Sequence, residues 1–442
     1  MNDFYFKISD CNKKDIYCRA VKKVGYTMIL IMLLAMSGKS FGQASDPAFN
    51  AVYKQIQQKN FFKARLLYAE SKKKLPAEYQ YFTEAVLDNA FNRPEQSNRR
   101  ITELESSKVK LQDSLMLKIQ SLKEDNCMKQ YDYKGAKNAV QNALKVYDKL
   151  LTEEKRNDLK NNLKIWTALE NEPRQKVTFT GSTRMKMEKD AAGLKNLKVS
   201  IGEEYMNFIF DTGANISTVS ATTAKRLKMK IIPADIDVDA ITGIAVKADL
   251  AVCKKLVLGN AVIENAVFLV FADTALSFPQ ISYQINGILG FPVIEALKEV
   301  QLSQDDFFTV PDKETKINAP SNMAIDGLTP LIFVDGKHFT FDTGADHTML
   351  YAPFYAENKN QIDRQYQMVK IGMGGAGGKI EYDGYKISHT FHIMGKEVLL
   401  ENVNVLKSKI NKETAYGNIG QDVIRQFNRM TLNFDQMFIK FD

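Results

Sequence analysis

The sequence predicts a multidomain fold class in which an all-α array of helical hairpins precedes an all-β region made of two related lobes. Three observations lead to this prediction. Only Gly135 interrupts residues 43–180, whereas 20 of the 24 glycines lie at or beyond Gly181. Two Asp-Thr-Gly turns begin at Asp211 and Asp342. The sequence after each turn is repeated at nearly constant spacing, which indicates two copies of one lobe.

The repeat is clearest at its apolar positions. Ile288-Leu289-Gly290 follows the first turn, and Asn418-Ile419-Gly420 follows the second. The interval from Asp342 to Gly420 is one residue shorter than the interval from Asp211 to Gly290. Beyond these segments the register no longer changes, as four equally spaced pairs show: Val293 and Val423, Ile294 and Ile424, Leu302 and Leu432, and Phe308 and Phe438. Each lobe therefore supplies one Asp in the same local setting.

The two lobes are predicted over residues 175–312 and 325–442, with a connection over 318–326. Their segments are short, β-branched or aromatic, and separated by Gly, Asn and Asp, as is typical of strands. Strands are predicted to run into the two Asp turns, at Phe208-Ile209-Phe210 and Phe339-Thr340-Phe341. Short helices are predicted at 221–227 and 293–300.

Residues 45–172 are predicted to be helical. Apolar residues recur at helical spacing, as at Leu111, Leu115, Ile119 and Leu122. Motifs beginning at Phe61 and Tyr133 each place an aromatic residue three positions before an Ala. This pattern resembles a degenerate tetratricopeptide-like array, whose concave surface would dock a protein partner or present substrate. The alternative is a helical bundle packed on the next domain.

Residues 1–44 are predicted to be a signal peptide and leader. An almost wholly apolar run over 24–35 follows two lysines, and Gly42-Gln43-Ala44 offers the small residues that signal peptidase reads. We expect cleavage near Ala44 and a periplasmic, secreted or cell-surface location. An uncleaved anchor is the alternative.

Charge and cysteine content narrow the class of protein. The net charge of +8 divides into +4 in residues 1–44 and +6 in residues 45–171, which leaves −2 in the part that carries both Asp turns. No run of Lys and Arg is interleaved with aromatic residues, so nucleic acid is not predicted as a partner. Cys127 and Cys253, which lie beyond the leader, are predicted to be free thiols.

Two Asp turns of this kind suit hydrolysis by an activated water. Two carboxyl groups about 3 Å apart cannot both ionise, so they share one proton. The ionised member takes a proton from water, and the protonated member donates to the scissile carbonyl oxygen. Gly213 and Gly344 let the backbone turn tightly and offer N–H groups to the carboxylates. Thr212 and Thr343 are predicted to hydrogen-bond across the pseudo-twofold axis.

The paired turns, each followed by an apolar-apolar-Gly segment and a short helix, resemble those of retropepsin-like aspartic proteases. The resemblance covers residues 175–442, with both lobes in one chain as in pepsin. With the leader and helical segment, the whole chain is similar to exported bacterial members of the family. The resemblance implies an all-β bilobal acid-protease fold in which Asp211 and Asp342 are the catalytic pair.

The same resemblance implies a set of substrate-binding residues. Asn215 and Asp346 would contact the substrate backbone, and the glycine-rich stretches near Gly243 and Gly374 would be flaps that close over it. The retroviral pattern often has Arg directly after the second-segment Gly, paired with the acidic residue of the turn. Gln421 stands there instead, so this Arg support is not predicted.

Three further motifs are assigned structural roles. Residues 372–377 satisfy a GxGxxG pattern, but a dinucleotide loop should open a helix, and the residues that follow alternate as in a strand. A mobile hairpin tip is therefore favoured. His389 and His392 lack the acidic-His spacing of a zinc protease, and no metal or cofactor is predicted. Ser217 and Thr348 are predicted to fix the turn backbone, because no His–Asp pattern accompanies them.

The sequence therefore predicts an exported, monomeric aspartic endopeptidase that hydrolyses peptide or protein substrates. The alternative is a non-catalytic peptide- or protein-binding scaffold with a protease-derived groove. Two intact Asp turns argue against it, because a pure binder would not need two carboxylates. A glycosidase that uses the two Asp residues as acid and base fits the Thr-Gly setting less well.

Overall fold

A computed structural model describes residues 46–239, 245–279, 282–318, 320–375, 378–410 and 413–442. The predicted signal peptide and Gly243 of the first predicted flap lie outside these residues. The predicted fold class is confirmed, because helices form the N-terminal part and strands form two protease-like lobes after it. Among the described residues, no helix is both long enough and apolar enough to cross a bilayer.

The N-terminal segment packs consecutive helices against one another. Asn60 and Asp132 cap the helices that begin at Phe61 and Tyr133, each by accepting a hydrogen bond from a backbone N–H three residues on, at 3.1 and 3.2 Å. The two aromatic–Ala motifs therefore both mark helix starts, and their tetratricopeptide-like relation stays a prediction. The helices described in this segment are α1 (Pro47–Gln57), α2 (Phe61–Ser71), α3 (Ala77–Ala90), α4 (Pro94–Ser106), α5 (Asp113–Lys129), α6 (Tyr133–Val146) and α7 (Glu153–Leu169).

Lobe 1 is built on a large sheet with the order β1-β9-β6-β12-β5-β4-β8-β7, in which β3 adds to β4 and β8 also pairs with β9. Its strands are β1 (Lys176–Phe179), β2 (Thr183–Lys186), β3 (Glu188–Lys189), β4 (Lys195–Ile201), β5 (Glu204–Phe210), β6 (Ser217–Ser220), β7 (Lys230–Asp239), β8 (Ala245–Leu258), β9 (Ala261–Phe271), β10 (Ser277–Phe278), β11 (Tyr283–Gln284), β12 (Gly287–Leu289), β13 (Glu299–Ser303) and β14 (Phe307–Val310), and its helices are α8 (Ala221–Arg226) and α9 (Phe291–Glu295).

Lobe 2 repeats this plan in a sheet with the order β15-β16-β17-β22-β18-β21-β20-β19. In both lobes the strand that ends at the Asp turn pairs in parallel with the short apolar-apolar-Gly strand, which also pairs antiparallel with the strand after the turn. The elements of lobe 2 are β15 (Met323–Asp326), β16 (Thr329–Val334), β17 (Lys337–Phe341), β18 (Met349–Leu350), α10 (Ala352–Gln365), β19 (Met368–Gly375), β20 (Gly378–Ile393), β21 (Lys396–Leu406), β22 (Gly417–Ile419), α11 (Gln421–Ile424), β23 (Arg429–Asn433) and β24 (Phe438–Phe441).

Two boundaries predicted from the sequence were wrong. The helix predicted over 293–300 corresponds to α9, which spans Phe291–Glu295. It cannot extend to residue 300, because the residues from Glu299 form β13 and pair with β23. The connection predicted over 318–326 is shorter, because residues 323–326 form β15 and bury three consecutive side chains against lobe 2. The helix predicted at 221–227 is confirmed as α8.

The two lobes share a five-stranded sheet with the order β2-β14-β13-β23-β24. At its centre β13 runs antiparallel to β23, and Gln301 pairs with Thr431. In the register of the repeat Thr431 is the equivalent of Gln301, so the pseudo-twofold axis passes between these two residues. The repeat read from the sequence is therefore also a symmetry of the fold.

The helical segment packs on lobe 1 through α7, which lies along strand β7. Trp166 and Leu159 of α7 share an apolar cluster with Ile236 and Leu250 of the β7–β8 hairpin. Asn161 pairs with the backbone of Asp237 in both directions, since its Nδ2 donates to the carbonyl oxygen (2.7 Å) and its Oδ1 accepts from the N–H (2.9 Å). The helical segment thus holds the strand that leads to the first predicted flap.

The segment packs on lobe 2 through α2. The ring of Phe62 stacks on Phe333 with centroids 4.9 Å apart, and Arg65 donates to the hydroxyl (2.6 Å) and the carbonyl oxygen (3.0 Å) of Ser321. Lys59 forms an ion pair with Asp326. These contacts match the helical bundle packed on the next domain that the sequence left as an alternative, and partner binding through this segment stays a prediction.

Replacing Phe62 with Ala is expected to lower the free energy of unfolding by about 3 kcal/mol, because a buried ring leaves a cavity between α2 and lobe 2. The control is Leu66→Ala in the same helix, whose side chain is 60% exposed and which should change stability by less than about 0.5 kcal/mol. Chemical denaturation of both variants measures the difference. Equal stabilities would show that the helical segment does not pack on lobe 2 in solution.

Candidate active site

The two Asp turns stand at the ends of equivalent buried strands, β5 and β17. The backbone N–H of Asp211 donates to the carbonyl oxygen of Leu289 (3.1 Å), and that of Asp342 donates to the carbonyl oxygen of Ile419 (3.0 Å). Each turn is therefore tied to the apolar-apolar-Gly strand of its own lobe.

The hydroxyl groups after each turn have the structural role predicted for them. The N–H of Gly290 donates to Ser217 Oγ (3.0 Å), and the N–H of Gly420 donates to Thr348 Oγ1 (3.1 Å). Both hydroxyl residues are buried. They close each turn onto its supporting strand, and the Thr348 hydroxyl also donates to Asp422 Oδ1 (2.6 Å).

Thr212 and Thr343 join the two turns across the pseudo-twofold axis. Each backbone N–H donates to the other threonine's Oγ1, at 3.0 Å in both directions. Each hydroxyl in turn donates to the carbonyl oxygen before the opposite Asp, at 2.9 Å for Phe341 and 3.0 Å for Phe210. Both threonines are buried, so these four hydrogen bonds are shielded from water. They fix the separation and mutual orientation of the two Asp residues.

The carboxyl groups of Asp211 and Asp342 meet at this junction. The N–H groups of Gly213 and Gly344 each donate to Oδ1 of the Asp two residues before, at 2.8 Å. Each glycine also makes room for the opposite carboxyl, since a Cβ built on Gly344 would lie 2.3 Å from Asp211 Cγ, and one on Gly213 would lie 2.6 Å from Asp342 Cγ. The sequence predicted the tight turn and the N–H donors but not this close cross-packing.

The protonation of the pair follows from this geometry. Burial raises the pKa of the Asp211 carboxyl well above its usual range, and the nearby charge of Asp342 and a hydrogen bond to its side chain act in the same direction. The N–H groups of Gly213 and Ala214 partly oppose this shift. The arrangement can therefore retain one shared proton under conditions in which an isolated Asp would be ionised.

The two halves of the site differ at the residue beneath each Asp. Asn418 in β22 donates from Nδ2 to Asp342 Oδ2 (3.1 Å), whereas its repeat equivalent in lobe 1 is the apolar Ile288. The sequence interpretation counted both residues among the apolar positions of the repeat. The mismatch of a polar with an apolar residue in an otherwise apolar repeat was the signal that could have singled out Asn418.

The two residues predicted to contact substrate lie one turn beyond each Asp. Asn215 is exposed, and its Oδ1 accepts a hydrogen bond from Thr329 Oγ1 of the other lobe (3.0 Å). Asp346 is bound by Arg425, whose Nη1 donates to its Oδ1 (2.8 Å) and whose Nη2 donates to its backbone oxygen (2.9 Å). The expectation of no Arg support was therefore wrong for Asp346, because Arg425 lies five residues after Gly420 at the end of α11.

Antiparallel strand pairs adjoin the two predicted flaps, β7 with β8 in lobe 1 and β19 with β20 in lobe 2. Gly374 lies in β19, pairs with Lys379 of β20, and has open space where a Cβ would stand. Residues 372–375 of the GxGxxG pattern thus lie in strand β19, while residues 376 and 377 lie outside the described residues. In lobe 1 the strands β7 and β8, on either side of residues 240–244, pair antiparallel, while Gly243 itself lies outside the described residues.

The histidines of the second lobe do not gather into a metal site. His389 packs edge-on against Phe354 and Phe391, and burial lowers its pKa. The backbone N–H of His392 donates to Asp335 Oδ2 (3.0 Å). His347 is exposed, with Nε2 3.0 Å from Asp346 Oδ2. Across the described ranges, no three His, Cys, Asp or Glu side chains are placed to hold one metal ion.

Comparison with known proteins agrees with this geometry. Residues 197–293 match a family model described as aspartyl protease, and this span holds the first Asp turn and its supporting strand. Solved structures with similarity are basic 7S globulin from soybean (12% identity, TM-score 0.36) and conglutin gamma, a basic 7S globulin from lupine seeds (10% identity, TM-score 0.35). Each comparison covers 59% of this chain, with 94% and 95% of the globulin chains. No curated protein matches significantly. Residues 197–293 are therefore similar to an aspartyl protease domain.

Proposed function

We propose that the chain is an exported aspartic endopeptidase that cleaves peptide bonds with a water activated by Asp211 and Asp342. The observation that carries this proposal is the meeting of the two carboxyl groups, one from each lobe, each packed against the glycine of the opposite turn. The cross-bonded threonines support it, because they fix the separation of the two turns that carry the carboxyl groups. The proposed export rests on the predicted signal peptide.

In the proposed reaction, the ionised Asp takes a proton from water as the water oxygen attacks the scissile carbonyl carbon. The protonated Asp gives its proton to the carbonyl oxygen, which yields a neutral tetrahedral diol. The first Asp then passes its new proton to the amide nitrogen, the C–N bond breaks, and one diol hydroxyl returns a proton to the second Asp. The products are a carboxylic acid and an amine, and the shared proton is restored.

The substrate groove is proposed to lie between the two β-hairpins and the two Asp turns. Asn215 and Asp346 stand at equivalent positions on either side of the pseudo-twofold axis, where backbone amides of an extended peptide would reach them. Gly374 and the residues near Gly243 are proposed to cover the peptide. Proposed partners are peptides or proteins as substrates, with the chain acting as a monomer.

The mature chain, incubated with a library of fluorescence-quenched peptides from about pH 3 to pH 8, tests this function. Cleavage that is blocked by a statine-type inhibitor and unaffected by a chelator is the expected result. Peptide binding without cleavage at any pH would instead favour the alternative, a non-catalytic scaffold with a protease-derived groove.

Replacing Arg425 with Ala is expected to raise KM about fivefold with little change in kcat, because Asp346 loses the charged partner that orients it toward the peptide backbone. The control is Arg429→Ala, whose guanidinium binds the C-terminal Asp442. Steady-state kinetics on one library peptide separates the two constants. An unchanged KM would remove Asp346 from the proposed substrate contacts.

A further inference from the structure

We propose that Asn418 is a positioning residue that makes the Asp pair asymmetric, so that Asp342 carries the negative charge and acts as the base while Asp211 holds the proton. This inference rests on the proposed function and assigns the roles within it. Its evidence is a difference between the two lobes at the residue beneath each Asp, which is Asn418 in lobe 2 and Ile288 in lobe 1.

The first step is the count of donors at each carboxyl. Both Asp residues accept a backbone N–H at Oδ1 from the glycine two residues on, and the N–H of Ala214 also acts on the Asp211 carboxyl. Asp342 alone accepts a further side-chain donor among the described contacts, from Asn418 Nδ2 to Oδ2 (3.1 Å). A hydrogen bond to a carboxylate oxygen stabilises its charged form, so this donor favours ionisation of Asp342 over Asp211.

The second step is the orientation of the Asn418 amide. Thr340 Oγ1 donates to Asn418 Oδ1 (2.6 Å), which leaves the Nδ2 end of the amide facing Asp342. Asn418 is only 5% exposed, so water competes little for this arrangement. The equivalent positions in lobe 1 are Ile209 and Ile288, which offer neither a donor nor an acceptor.

The third step concerns the charged groups around Asp342. Its charge acts on two titratable groups, Asp211 from the opposite turn and Tyr351 after β18. Tyr351 hydrogen-bonds to Thr340, and burial followed by the charges of Asp342 and Glu413 raises the pKa of its hydroxyl. Tyr351 therefore stays neutral through the acidic and neutral range and extends the chain of polar groups that ends at Asp342. Asp211, which receives no equivalent amide donor among the described contacts, is left as the proton carrier.

The test compares Asn418→Leu with Ile288→Leu, the matching change in lobe 1. Loss of the amide donor should displace the acidic limb of the plot of kcat/KM against pH to higher pH by roughly one unit. The reason is that the Asp342 carboxyl, without this donor, loses its proton only at a lower proton concentration. Ile288→Leu should leave that limb in place. Thr340→Val keeps Asn418 but removes the hydrogen bond that orients its amide, so it should give a smaller shift in the same direction. This variant replaces Asn418→Leu in the test if Asn418→Leu does not fold.

A second readout does not depend on turnover. In chain labelled with ¹³C at the Asp carboxyl carbons, the Asp342 signal is assigned by its loss in Asp342→Asn and titrated in the wild type and in Asn418→Leu. A titration of that signal displaced to higher pH in Asn418→Leu supports the inference, even if no peptide is cleaved and the proposed function fails. Coincident titrations, or an unmoved acidic limb with an intact fold, would overturn it.

Discussion

Replacing Asp342 with Asn is expected to lower kcat/KM for peptide cleavage by at least about a thousandfold while the chain stays folded. An amide cannot accept a proton from water, and it keeps the size and most hydrogen bonds of the carboxyl that Gly344 and Asn418 contact. Asp211→Asn should cost as much, because it removes the only proton the pair can donate. The double variant should be no worse than either single one, since the two groups act as a unit.

Initial rates with a quenched peptide and circular dichroism of the same samples measure this prediction. The control is Asp435→Asn, whose side chain lies outside the two turns in an exposed ion pair with Lys298 (3.4 Å) and which should retain activity. Cleavage at the wild-type rate by either Asp211→Asn or Asp342→Asn would remove that residue from the reaction.

The pH dependence of the wild type should be bell-shaped with an upper limb well above the ordinary range of carboxyl groups. Activity is lost at low pH when the pair takes up a second proton and no base remains. It is lost at high pH when Asp211 gives up its proton and no acid remains. Because burial, the charge of Asp342 and the hydrogen bond between them raise the pKa of Asp211, the second loss is displaced to higher pH.

Replacing Gly344 with Ala is expected to abolish detectable cleavage and to destabilise the chain by about 2 kcal/mol. The added Cβ would lie 2.3 Å from Asp211 Cγ, far inside van der Waals contact, and both oxygens of that carboxyl lie within 2.5 Å of it. The Asp211 side chain must therefore move away from Asp342. A displacement of about 1 Å can cost a hundredfold or more in rate even where stability is largely kept.

Thermal unfolding and cleavage assays separate these two effects. For stability, the control is Gly374→Ala, which makes the same chemical change where nothing lies within 4 Å of the added Cβ. That variant should unfold at the wild-type temperature. Wild-type kcat/KM in Gly344→Ala would mean that the two carboxyl groups do not meet in solution as they do in the structure.

The parts of this site that could be predicted from sequence are those fixed by local chemistry repeated at constant spacing. The Asp-Thr-Gly motif by itself identifies the candidate residues of each turn. The register of the repeat also predicts the pairing of Gln301 with Thr431, because a repeated strand lies beside its copy at the symmetry axis. The cross-bonding of Thr212 and Thr343 followed from the same symmetry.

The parts that could not be predicted depend on contacts between segments that the repeat does not relate. Arg425 reaches Asp346 because α11 carries the chain one turn past the position where an Arg was sought. Asn161 meets the backbone of Asp237, which is distant in sequence, only because α7 packs along β7. Neither contact leaves a periodic or compositional signal. The first contact gives Asp346 a charged partner, and the second attaches the helical segment to lobe 1.

Calorimetric titration of the mature chain with a statine-type inhibitor, which places one hydroxyl between two catalytic carboxyl groups, tests the central claim most directly. We expect one inhibitor-binding site per chain, because one pair of carboxyl groups, drawn from both lobes, forms the site. We expect that site to be lost in both Asp211→Asn and Asp342→Asn. Two sites per chain, or tight binding retained by either variant, would contradict it.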